Sequence, residues 1–134
     1  MAAGLVLIDT SVWIEAIHPQ GREECRIVVG QLMGDGRAAT CELVIAEVLK
    51  GAATQVALAE LRDGMSTLVC LDMRGAGTAA GTLALALRHQ GLTIPATDLL
   101  IAAVAQTHGA AILHRDRHLS RAAAIIGLEE HAAQ

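Results

Sequence analysis

A chain of 134 residues suits one domain around one core, expected here to span 1–134, and its 53% apolar content can build that core without cross-links. One Trp and no Phe or Tyr leave no aromatic row for stacking bases, and a net charge of −4 argues against holding nucleic acid chiefly by neutralising phosphates. The longest apolar stretch, Leu99 to Ala105, is far too short to span a bilayer. Cys25, Cys41 and Cys70 lack metal-finger spacing and nothing at the N-terminus reads as a signal peptide, so a reduced, cytoplasmic setting is expected.

Residues 4–8 (GLVLI) form a continuous apolar run ending at Asp9, the pattern of a buried parallel strand. Asp9-Thr10-Ser11 caps a helix carrying Val12, Trp13, Ile14 and Ile17, which breaks at His18-Pro19-Gln20-Gly21. A helix over about 22–33 stops at Gly34-Asp35-Gly36, and 38–41 reads as a second short strand. Helices follow over 42–50, stopped by Gly51, and over 54–63. Residues 67–73 read as a third strand and 77–90 as an Ala/Leu helix closed by Gly91. Pro95-Ala96-Thr97 leads into a helix over 98–108, closed by Gly109. A fourth strand over 110–114, a helix over 116–124 and a short edge strand at Ile125-Ile126 complete the reading. Strands alternating with helices predict an α/β layered fold with a mostly parallel sheet.

Two of the six aspartates, Asp9 and Asp116, fall just past predicted strands, and Asp98 opens a helix. Ligands in open α/β sheets bind beyond the carboxyl ends of strands, so neighbouring parallel strands bring Asp9 and Asp116 to one edge. Glu47 follows Leu43 and Val44 by four and three positions and shares their apolar face, where an unpaired charge is costly. Converging carboxylates repel, and a divalent cation relieves that repulsion; hard oxygen donors suit Mg²⁺ or Mn²⁺. Such an ion also reverses the local sign of an acidic protein, which keeps a nuclease open despite the net charge. Each acid has a plainer reading. Asp9 and Asp116 serve equally as helix caps, Asp116 as a partner of Arg115 or Arg117, and Glu47 as a partner of Lys50. Asp98 suits a helix start, where the dipole keeps it ionised.

With these residues placed, the chain resembles a PIN-domain ribonuclease, and more narrowly the VapC toxins of bacterial toxin–antitoxin pairs. LVLIDTSVWIE (5–15) is similar to the first acidic motif, with Asp9; VIAEVLKG (44–51) to the second, with Glu47; IPATDLLIAAVA (94–105) to the third, with Asp98; and ILHRDRHLS (112–120) to the fourth, with Asp116. The resemblance covers about 1–128, and its first and third motifs are the specific ones. It implies a PIN-like three-layer α/β/α sandwich that cleaves single-stranded RNA with Mg²⁺ or Mn²⁺. It further implies Asp9 and Asp98 as main metal ligands, Asp116 assisting, and Glu47 orienting or deprotonating the attacking water. A homodimer held inactive by a VapB-type antitoxin is implied too, with no membrane partner. His118 stands where many relatives carry a further acidic or amide residue, which bears on a second metal site.

Rival classes are weaker. Gly75–Ala80 matches a G-x-G-x-x-A dinucleotide fingerprint, with Asp98 21 residues past Gly77, but only Leu92-Thr93-Ile94 is left to supply the strand between them. A helix start with small residues for close packing is the better explanation. Ser11 stands where a haloacid-dehalogenase-type phosphatase needs its second Asp, and no G-x-S-x-G is present. A housekeeping ribonuclease and a non-catalytic binding module remain. Arg115, Arg117 and Arg121 read either as phosphate-steering groups or as solvated residues, and His114 and His118 as polar surface flanking Asp116.

Overall fold

The computed structural model describes residues 4–132. Its elements alternate as expected: β1 (Val6–Ile8), α1 (Thr10–Ile17), α2 (Glu23–Gly34), β2 (Ala38–Thr40), α3 (Glu42–Leu49), α4 (Gln55–Met65), β3 (Val69–Cys70), α5 (Ala76–His89), α6 (Ala96–Thr107), β4 (Ala111–Leu113) and α7 (Arg117–Ile126). The four strands form one parallel sheet in the order β3-β2-β1-β4. β1, β2 and β4 are buried throughout, which explains their unbroken apolar spelling.

The order of the strands places the site. From β1 the chain steps outward to β2 and β3, then returns to β4 on the other side of β1. Right-handed crossovers therefore carry α1–α4 over one face and α5–α6 over the other. The helix pairs agree: α1 packs on α2 and α3, and α3 on α4, whereas α5 packs on α6 and α7. The three-layer α/β/α sandwich is thus present, and the winding reverses between β1 and β4, the topological switch point where such folds open a crevice. The two strands are in register there, with Ile8 opposite Leu113, and the Asp9 amide donates to the Leu113 carbonyl at 2.9 Å.

Three expectations need correction. Ile125 and Ile126 are not an edge strand but the last turn of α7, whose inner face buries Leu119, Ala122 and Ala123. The added sheet partner is Glu130, bridged in parallel to Ile112. The third strand shrinks from 67–73 to Val69–Cys70: it is an exposed edge, entered through a turn closed by Thr67 and Leu68 onto Gly64 and Met65 and left through an Asp72–Arg74 turn. The dinucleotide reading of Gly75–Ala80 also fails. Gly75 is a left-handed cap of α5, residues 92–95 form no strand, and Asp98 lies on a helix.

The break between α1 and α2 depends on one close approach. A Cβ on Gly21 would sit 1.7 Å from the Glu15 carbonyl oxygen. That oxygen belongs to backbone, so relief requires moving the turn itself. Gly21→Ala is expected to lower unfolding free energy by about 1–3 kcal/mol in urea titration; wild-type stability would show that the turn yields freely.

Candidate active site

Asp9, Asp98 and Asp116 reach one cleft from three elements. Asp9 follows β1 and Asp116 follows β4, so adjacent strand ends deliver both. Asp98 occupies the first turn of α6, entered through Pro95. The cleft, of about 500 Å³, is lined by these three acids with Ser11, Arg115, Arg117 and His118.

Capping and convergence are combined in the same side chains. Asp9 caps α1: its Oδ2 accepts from the Ser11 hydroxyl at 2.6 Å and from the Ser11 amide at 3.3 Å. Asp116 caps α7, its Oδ1 accepting from the His118 amide at 2.8 Å. Each cap uses one carboxylate oxygen and fixes the rotamer, leaving the other oxygen without a protein hydrogen bond among the described residues. Asp9 is 8% exposed, so its position is held by structure rather than by solvent.

Glu47 stands beside the cleft rather than in its lining. It is half-buried on the inner side of α3, and its Oε1 accepts from the Thr10 hydroxyl at 2.7 Å. Thr10 itself is buried at the first position of α1, next to Asp9. Neither alternative ion pair forms among the described residues: Glu47 does not take Lys50, and Asp116 takes neither Arg115 nor Arg117.

The electrostatics reverse one expectation. The α6 dipole favours an ionised Asp98, yet its carboxyl is pushed above the usual carboxylate range. Burial is the largest cause, followed by the charges of Asp9, Asp116 and Glu47. Burial first, and repulsion from the other acids after it, therefore hold the carboxyl up despite its place at a helix start. Asp98 receives no hydrogen bond from the described residues to offset that cost.

These donors fit Mg²⁺ or Mn²⁺ in kind: all are hard oxygens, with free lone pairs and a shared, unneutralised charge. As they stand, no three His, Cys, Asp or Glu side chains among the described residues are gathered closely enough to hold a metal ion. An open arrangement of carboxylates suits a cation that retains several waters.

Sequence reasoning missed two contributors. His114 reads from the sequence as polar surface, but its side chain is 4% exposed and bonds to Glu130. Thr10 stands out there only as part of a helix start. Its signal was available, because a hydroxyl beside Asp9 on a buried helix face needs a partner. Trp13 is core, 6% exposed.

Residues 6–125 match the model of the PIN domain, and the chain belongs to that family. It is 36% identical to ribonuclease VapC11 of Mycobacterium tuberculosis over 93% of this chain and 96% of that one. The VapBC2 complex of Rickettsia felis, solved on a DNA fragment from its promoter, gives a TM-score of 0.77 at 23% identity, covering 95% and 97% of the two chains. DNA-bound VapBC from Salmonella typhimurium gives 0.74 at 19%, covering 98% and 100%. At these identities the structures speak to the fold.

Because folding raises the pKa of Asp98, its effect on stability has a definite sign. The neutral carboxyl carries no penalty below the ordinary carboxylate pKa, and the penalty grows as pH rises through the elevated folded value. In metal-free buffer, Asp98→Asn is therefore expected to melt above wild type at pH 7–8, the gap closing as pH falls to about 3. An equal melting difference at both pH values would contradict the raised pKa of Asp98.

Proposed function

We propose that this chain is a Mg²⁺- or Mn²⁺-dependent endoribonuclease, the toxin of a VapBC-type toxin–antitoxin pair, formed as one domain over 1–134 and working in the cytoplasm. The observation that carries the reading is the delivery of three aspartates to one cleft, two as helix caps and the third half-buried, none of them in an ion pair among the described residues. The family and the VapC relative support RNA as the substrate.

Asp9, Asp98 and Asp116 are the residues assigned to hold the metal. When bound, it would supply a water of lowered pKa and neutralise charge developing on the phosphodiester. Ser11 fixes the Asp9 carboxylate, and the α7 cap fixes that of Asp116, so two ligands are positioned before an ion arrives. Glu47 is braced by Thr10 through Oε1, and its Oε2 is assigned to orienting the attacking water. Arg115 and Arg117 are exposed at the rim and supply the positive charge that a polyanion approaching an acidic pocket needs.

The same charge pattern explains control by a partner. A VapB-type antitoxin that places a basic side chain in the acidic cleft would replace the cation electrostatically and block RNA at once. A homodimer is the assembly assigned to the free chain. No helix among the described residues is long and apolar enough to cross a membrane.

Purified, antitoxin-free chain should cut bacterial RNA at discrete positions with Mg²⁺ or Mn²⁺ and stop in EDTA. Asp98→Asn should lose about 100-fold or more of the rate while remaining folded, and Thr10→Val about 10-fold. Full activity in Asp98→Asn would refute the site assignment.

A further inference from the structure

Behind Asp116 lies a buried histidine with no part in the proposed chemistry. His114 Nδ1 accepts a hydrogen bond from the Asp116 backbone amide at 3.0 Å. A ring nitrogen that accepts carries no proton, which leaves the ring N–H at Nε2. Nε2 lies 2.6 Å from Glu130 Oε2, and the N–H donates to it. The Ser120 hydroxyl donates to the same oxygen at 2.7 Å.

Glu130 reaches this point because the segment after α7 lies along β4. The Ile112 amide donates to the Glu129 carbonyl and the His131 amide to the Ile112 carbonyl, each at 2.9 Å. The far end of the chain is thereby tied to the strand that delivers Asp116. The acid is held on two sides: its amide by His114, and its Oδ1 by the His118 amide.

We infer that His114 and Glu130 are positioning residues for Asp116, with the terminal segment clamping the imidazole so that Nδ1 faces the Asp116 amide. Burial alone requires only that the histidine find partners. The sequence of bonds does more, since Glu130 selects the tautomer that can accept from Asp116. The inference rests on the reading of the cleft as the metal site.

The test uses the full chain as wild type, Glu130→Ala and Glu130→Gln, with melting temperature as a folding control. Two quantities are read: hydrogen exchange of the Asp116 amide in metal-free protein, and Mn²⁺ affinity by calorimetry. Glu130→Ala should speed exchange at Asp116 and weaken Mn²⁺ binding about 10-fold or more. Glu130→Gln, whose side-chain carbonyl still accepts from Nε2–H and Ser120, should restore most of both. Wild-type exchange and affinity in Glu130→Ala would overturn the inference, as would a glutamine variant no better than alanine. A wild-type chain that binds no Mn²⁺ would instead defeat the metal-site reading; Asp116 exchange would then decide the clamp alone, supported if alanine speeds it and glutamine restores it, overturned if it is unchanged.

Discussion

Parallel pairing of β1 with β4 is the interaction on which the site depends. It closes the sheet at the point where the winding reverses, and it sets Asp9 and Asp116 at adjacent strand ends. A one-residue slip would turn every side chain of a strand to the opposite face, so register here is enforced by core burial rather than by the acids. Val6, Leu7, Ile8, Ile112 and Leu113 are all fully buried, and their packing supplies that enforcement. The hydrophobic sheet thus holds together charges that would otherwise separate.

Stability and function conflict at this cleft, and the conflict is contained locally. Asp9 and Asp116 repay part of their burial by capping helices, so neither is a pure liability to the fold. Asp98 has no such compensation and carries the cost as a raised pKa. Sites that must bind charge later commonly retain uncompensated charge beforehand. The Ser11 and Thr10 hydroxyls and the His118 amide hold the side chains of Asp9, Glu47 and Asp116 against relieving the repulsion by swinging away.

Much of this was legible in the sequence because the relevant signals are local. Continuous apolar runs marked the buried strands, and glycines marked most helix ends. The aspartates were visible because strand ends and helix starts have short-range signatures. Glu47 stood out on an apolar helix face. The failures share the opposite character. Ile125-Ile126 spells a strand in isolation, but α7 continues through it because Leu119, Ala122 and Ala123 extend one buried stripe. The length of β3 was overestimated because an exposed edge is limited by its turns, not by its hydropathy. The link from Glu130 to His114 spans 16 residues and depends on docking of the terminal segment, which no local pattern reports. Thr10 to Glu47 spans 37: that the Thr10 hydroxyl needed a partner was readable, but which partner was not before α1 and α3 were placed side by side.

The central claim is that Asp9 and Asp116, delivered by neighbouring strands, hold one cation in common. A double-mutant cycle on Mn²⁺ affinity tests it most directly, using Asp9→Asn, Asp116→Asn and the pair, each checked for a native melt. Two ligands of one ion give a strongly non-additive cycle, the second substitution costing far less than the first. Additive losses, or wild-type affinity in either single variant, would show that the two aspartates do not share an ion and would contradict the account.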